Sequence, residues 1–179
     1  MTAYNIQLAQ TLHLPLLADI EHAAAQYFPD HLIPPALKNG VVPLDELEAA
    51  QKQDRLWVAV LVNKSPKQGL AEHLPVGFAI AEQIENAAYL REIDVHPDHQ
   101  GRGLGRQLIA AVVNWALEQD LNAVTLTTFA EVPWNAPYYQ RLGFDIVKND
   151  ALSRALHTRL KHEQDLGLRD RVAMIKKLI

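Results

Sequence analysis

Three of the chain's eight glycines fall within five residues, at positions 101, 103 and 105. They follow Leu90-Arg91-Glu92-Ile93-Asp94-Val95, which reads as a strand, and they open a segment in which Leu104, Leu108, Val112 and Trp115 recur at helical spacing. A strand that turns into a helix through glycine commits the chain to mixed α and β structure. It also lays bare backbone N–H groups at a helix N-terminus, where the helix dipole favours an anion. The charges agree: from Gly101 to Leu117 the only charged residues are Arg102 and Arg106, and the first acid is Glu118. Helices ordinarily place acids first, so this reversed order is accounted for by an anionic ligand. The competing reading is a plain glycine-rich helix entry with two solvated arginines.

Two common nucleotide readings of this turn fail. A Walker phosphate loop needs a Gly-Lys pair, and the chain has none. The dinucleotide fingerprint begun at Gly101 meets Arg106 where glycine is required, and begun at Gly103 it meets Leu108.

The rest of the chain supports an α/β (α+β) domain. Strands are expected at Tyr4–Leu8, Leu56–Val62, Val76–Ile84, Ala88–Val95, Ala123–Thr128, Phe144–Lys148 and Arg171–Leu178. Helices are expected at Pro15–Phe28, Leu44–Gln53, Gly103–Gln119, Pro137–Leu142 and Ser153–Leu166. Phe28–Gly40 and Ser65–Leu74 read as loops, and Glu85–Asn86 as the tight turn of a hairpin. The order predicts one mixed sheet of about seven strands with helices on it, in a single domain spanning residues 1–179. If the last strand lay at an exposed sheet edge, it could pair with a second copy of the chain to form a homodimer.

Composition removes several function classes. The chain has 49% apolar residues, enough for a packed core. Seventeen Lys and Arg against 21 Asp and Glu leave a net charge of −4, which argues against binding nucleic acid through bulk charge. Cysteine is absent, excluding disulfides, thiol catalysis and Cys-based metal sites. Met1 to Leu17 carries no basic residue and is not expected to be a signal peptide. The most apolar run, Leu108 to Leu117, is too short for a bilayer, so a cytoplasmic protein without membrane contact is expected. The eight histidines offer no helical pair at metal-binding spacing and read as solvated or loop residues, so no metal is expected. His162–Glu163 likewise lacks the second His of a zinc-protease motif.

Gln100-Gly101-Arg102-Gly103-Leu104-Gly105, preceded by Ile93-Asp94-Val95-His96-Pro97, resembles the acyl-CoA-binding motif of the GNAT superfamily of N-acetyltransferases. A second segment, Tyr138-Tyr139-Gln140-Arg141-Leu142-Gly143-Phe144, resembles that family's aromatic-Tyr-x-x-x-Gly-Phe stretch. The likeness is close from Leu56 to Val147 and rests on element order alone in the N-terminal third. Asn135 stands four residues before Tyr139, nearer than in many members, and this form is similar to that of arylalkylamine N-acetyltransferases.

The resemblance implies acetyl-CoA as co-substrate and direct transfer of acetyl to an amine, in a gap where the fourth and fifth strands splay. Ile93, Asp94 and Val95 would line the pantetheine arm. Gln100, Gly101, Arg102, Gly103, Leu104, Gly105 and Arg106 would wrap the pyrophosphate, with the two guanidiniums near phosphate oxygens. The Val95 N–H would steady the oxyanion, an effect of about 3 kcal/mol in such sites. Tyr139 would be the general acid for the departing thiolate, since a phenol with a pKa of about 10 holds and delivers a proton at neutral pH. Tyr138 and Asn135 would border the CoA channel.

A base is also required, because only a neutral amine attacks. Glu92 is the candidate, acting through water, and Asp94 shares its face by two-residue alternation. Acceptor choice would reside in Glu21 to Glu48, where Glu21, Asp30, Asp45, Glu46 and Glu48 stand beside Tyr27 and Phe28, with Trp134 as a further stacking surface. The acceptor expected is a small primary amine, arylalkylamine or polyamine-like. The alternatives are a peptide or protein N-terminus, and a non-catalytic acyl-CoA sensor.

Overall fold

A computed structural model describes residues 3–62 and 74–178. The loop expected at Ser65–Leu74 therefore lies, but for Leu74, outside the described residues. The strands are β1 (Ala3–Leu8), β2 (Leu56–Val62), β3 (Pro75–Ile84), β4 (Ala87–Val95), β5 (Ala123–Phe129), β6 (Asp145–Ile146) and β7 (Arg171–Lys177). The helices are α1 (Leu14–Ala25), α2 (Pro35–Lys38), α3 (Leu44–Lys52), α4 (Leu104–Glu118), α5 (Ala136–Arg141) and α6 (Arg154–Asp165).

The strands form one mixed sheet in the order β1-β2-β3-β4-β5-β7-β6, the α/β class expected. β1 pairs antiparallel with β2 from Ala3↔Val62 to Leu8↔Trp57. β2 pairs antiparallel with β3, with a register shift between Ala59 and Val60. β3 and β4 are neighbours joined by Glu85–Asn86, where Glu85 takes φ +54°. β4 and β5 pair in parallel from Ala87↔Ala123 to Tyr89↔Thr125. β7 lies antiparallel to both β5 and β6.

Two compact units compose the chain: Met1–Tyr27, Asn39–Ala81 and Arg91–Val112 in one, Phe28–Lys38, Glu82–Leu90 and Val113–Ile179 in the other. In the first, Leu17 and Ile20 of α1 and Leu47 and Ala50 of α3 are buried with Leu56, Val58 and Val60 of β2 and Phe78 and Ile80 of β3. The period-two spacing on the strands and the helical spacing on α1 bring these residues to one core. In the second, Tyr89, Leu156 and Ala173 form a cluster, and Leu32, Phe129 and Val132 another. A polar network crosses it: the Tyr89 and Thr127 hydroxyls share a hydrogen bond of 2.8 Å, Thr127 donates to Glu163, and Arg171 donates to both Glu163 oxygens.

Four expectations are corrected. The first helix stops at Ala25, three residues early, since Pro29 disfavours helical geometry at Phe28. Within the expected loop, Pro35–Lys38 forms a short helix, steadied where Lys38 Nζ donates to the Phe28 carbonyl at 2.7 Å. The strand expected at Phe144–Lys148 shrinks to Asp145–Ile146, because Phe144 is 1% exposed and its N–H is taken by the Tyr139 carbonyl. The last strand lies between β5 and β6 rather than at the sheet edge, with β6 pairing along only Met174 and Ile175.

Candidate functional site

The site builds from the C-terminal end of β4. Beyond Val95 the chain makes a short 3₁₀ turn at Pro97–His99, and Gln100 turns back so that its Nε2 donates to the Val95 carbonyl at 3.2 Å. Gly101 and Gly103 then take φ +71° and +75°, the left-handed region that glycine enters without penalty. A Cβ at either would meet nothing within 4 Å, so backbone conformation rather than crowding demands the glycines. Leu104 anchors it at 2% exposed, and the Gln107 N–H donates to the Gly103 carbonyl as α4 begins, with Gly105 inside the first turn.

Arg102 and Arg106 are exposed beside this turn. Arg102 lies over the Tyr4 ring at 5.8 Å, and the Tyr4 hydroxyl shares a 2.9 Å hydrogen bond with His99 Nδ1. Burial, helped by the charges of Arg102 and His96, pushes the His99 imidazole below its ordinary range. His99 is thus a bonded neighbour of the turn rather than a solvated loop residue. His13 departs further from that expectation: it is fully buried, its Nδ1 accepting the Gln10 N–H at 2.9 Å.

Gly77 on β3 belongs to this region and was not singled out by sequence. A Cβ there would stand 2.8 Å from the Asp94 carbonyl and 3.2 Å from Val95 Cγ2, so only glycine permits this approach of β3 to the end of β4. The available signal was an isolated glycine inside a strand pattern, which marks close backbone approach.

Carboxylates gather on the same stretch. Glu92 and Asp94, two residues apart on β4, are hydrogen-bonded to each other, and Glu21 of α1 lies close enough to act on both. Burial, then the charges of Glu92 and Glu21 and the bond with Glu92, raise the Asp94 carboxyl well above its ordinary range. Burial and the neighbouring Glu92 lift Glu21 from an ordinary 4.5 to about 7, against the pull of the Val42 N–H and Arg91. Val42 N–H donates to Glu21 Oε2 at 2.8 Å, and Arg91 is bound by Glu46 of α3.

In the second unit, Asn135 precedes α5, is 8% exposed, and its carbonyl accepts the N–H groups of Tyr138 and Tyr139. Tyr139 is equally buried, its ring 5.6 Å from Tyr138 and 5.7 Å from Phe144, both edge-on. Tyr138 is half-buried with Arg141 5.8 Å from its ring. Gly143, at φ +86°, turns the chain so that Phe144 returns under Tyr139.

The acids between Glu21 and Glu48 do not form one wall. Asp30 is paired with Lys38, Glu46 with Arg91 and Glu48 with Lys52. Trp134 is half-exposed and packs edge-on against Phe28 at 5.9 Å. Among the described residues, no group of three or more metal-ligating side chains is arranged to hold an ion, and no helix is long and apolar enough to cross a membrane.

Known proteins share this fold and this sequence pattern. The chain superimposes on the PaiA N-acetyltransferase of Thermoplasma acidophilum, solved in complex with coenzyme A, with a TM-score of 0.69 and 13% identity, over 98% of this chain and 99% of that one. It superimposes on the ribosomal-protein-S18-alanine N-acetyltransferase of Escherichia coli with a TM-score of 0.61 and 20% identity, over 98% and 94%. These likenesses define an N-acetyltransferase-type fold. The chain belongs to the acetyltransferase (GNAT) family, whose model matches residues 18–144. An uncharacterized N-acetyltransferase, ycf52, of Gracilaria tenuistipitata var. liui is 30% identical over 103 residues, covering 57% of this chain and 52% of that protein. The chain spans about half the length of the curated relatives it matches.

Proposed function

We propose that this protein transfers acetyl directly from acetyl-CoA to a small primary amine, as a single 179-residue acetyltransferase domain. The observation that carries this reading is the turn from Gln100 to Arg106. Two left-handed glycines with open space over them lead from β4 into α4, with Arg102 and Arg106 exposed and no acid from Gln100 to Leu117 in the sequence. That is what a pyrophosphate requires. Family membership supports coenzyme A as its bearer.

The remaining roles follow the family motifs residue by residue. Ile93, Asp94 and Val95 receive the pantetheine arm, and the Val95 N–H stabilises the oxyanion. Glu92 removes the amine's proton through water, and Tyr139 protonates the thiolate, with Tyr138 and Asn135 bordering the channel. Much of the acceleration comes from holding amine and thioester together.

Release of CoA thiol from acetyl-CoA by purified protein, screened against arylalkylamines, polyamines, amino acids and short peptides, tests the proposal. Amine-dependent release supports it. Release with peptides alone moves the acceptor to protein N-termini. Tight acetyl-CoA binding without release from any acceptor overturns the catalytic reading in favour of a sensor.

A further inference from the structure

Given the reading of the Gln100–Arg106 turn as the coenzyme A site, we propose that Tyr4 of β1 is a positioning residue for it. Tyr4 holds His99 and Arg102 so that the turn is ordered, and the guanidinium placed, before the phosphates arrive.

Tyr4 pairs with Leu61 in the ladder of β1 and β2, so the sheet fixes its backbone. Its side chain makes two contacts with the segment leading into α4, all within the first compact unit. The hydroxyl shares a 2.9 Å hydrogen bond with Nδ1 of His99, and the two rings meet edge-on at 5.8 Å and 83°. The same ring lies under the guanidinium of Arg102, 5.8 Å from its central carbon. One side chain therefore grips the chain on both sides of Gly101.

That grip matters because of the glycines. Gly101 and Gly103 flank Arg102 at positive φ, and glycine has the most backbone freedom to lose on ordering. A ligand that had to order this turn on binding would lose affinity, and a contact that orders it beforehand restores it. Tyr4 supplies such a contact before Gly101 through His99 and after it through Arg102.

The manner in which Arg102 is held points the same way. Arg91, Arg159 and Arg171 are each tied to a carboxylate, on Glu46, Glu82 and Glu163 respectively. Arg102 makes no ion pair among the described residues; it rests on the Tyr4 ring, and its Nη2 donates to the Asp98 carbonyl at 3.5 Å. A ring face steadies a guanidinium without cancelling its charge or occupying its N–H donors. The donors not turned to Asp98 stay available to phosphate oxygens. Burial and the charge of Arg102 keep the His99 imidazole below its ordinary range, so at neutral pH it adds no charge beside the guanidinium.

Calorimetric titration of coenzyme A into the native protein and four variants tests this role, with melting curves to establish folding. The variants are Tyr4→Phe, Tyr4→Leu, Arg102→Ala, and Tyr4→Leu combined with Arg102→Ala. Tyr4→Phe keeps the ring and loses the bond to His99, and is expected to raise the dissociation constant about threefold. Tyr4→Leu loses both contacts, and a rise of about tenfold is expected. In the Arg102→Ala background, Tyr4→Leu is expected to add no more than about threefold, since part of its effect is exerted through the guanidinium. A merely structural role would produce no such coupling. With an acceptor that supports turnover, the KM for acetyl-CoA rises in step while kcat stays within about twofold.

Folded Tyr4 variants that bind coenzyme A as the native protein does overturn the positioning role and leave the coenzyme A reading intact. An effect of Tyr4→Leu equally large with and without Arg102 does the same. A native protein that fails to bind coenzyme A overturns both. Should Tyr4→Leu not fold, Tyr4→Phe in the native and His99→Ala backgrounds takes its place. Its effect is expected to disappear once His99 is gone; a persisting effect, or none in the native background, overturns the role.

Discussion

Glu21 shows how a side chain acquires a property that its neighbours in sequence do not carry. Its helix is an ordinary amphipathic one, but packing α1 onto the sheet brings its carboxyl to Glu92 and lifts its pKa to about 7. Between the ordinary 4.5 and about 7, the folded protein binds a proton that the unfolded chain does not. For this group, stability is highest at the acid end and is lost as pH rises toward about 7. Glu21→Gln removes that loss, so the variant should gain melting temperature relative to the native protein at pH 8 more than at pH 5; a parallel pair of curves would refute it. Tyr139 makes the complementary prediction. Tyr139→Phe keeps the packing against Tyr138 and Phe144 and deletes only the hydroxyl. Turnover should fall by about 100-fold while acetyl-CoA affinity from calorimetry stays within about twofold. Equal turnover would reassign the tyrosine to the core.

At the scale of elements, the β4–turn–α4 unit combines backbone demand with side-chain economy. Gly103 holds φ +75°, so Gly103→Ala should cost about 1 kcal/mol from the left-handed conformation alone, read as a lower melting temperature. Its open surroundings mean that no clash adds to that figure. Arg102 makes few bonds to the protein: its Nη2 reaches the Asp98 carbonyl at 3.5 Å and its guanidinium lies over Tyr4. Arg102→Ala should therefore leave stability nearly unchanged and raise the CoA dissociation constant about tenfold. An unchanged constant would make the arginine a surface residue only.

For the molecule as a whole, β7 completes the sheet after every other strand has been made. It inserts between β5 and β6, burying Ala173 and Met174 and tying Arg171 to Glu163 and Thr127. A chain ending at Asp170 loses the seven antiparallel rungs from Ala123↔Lys177 to Phe129↔Arg171. It should lack a cooperative thermal transition by circular dichroism, and a truncated protein melting like the full chain would contradict this placement. The exposed edges of the sheet are β1 and the two-residue β6.

Much of this was legible in the linear chain, because it rests on neighbours a few residues apart. β2 falls where an unbroken apolar run predicts it, and α4 begins at Leu104, within the glycine run. The glycine spacing of the Gln100–Arg106 turn is a local signal, and the Tyr138–Phe144 segment stood out through its resemblance to a family motif. Where residues far apart in sequence had to meet, only the tertiary structure could decide. The burial of His13, the close approach that Gly77 permits, the interior position of β7 and the meeting of Glu21 with Glu92 and Asp94 all depend on such contacts. Dihedral preference and hydrophobic period are short-range properties written residue by residue. Strand order, burial of a charge and the field at a carboxyl arise from packing between distant segments, and no local pattern encodes them.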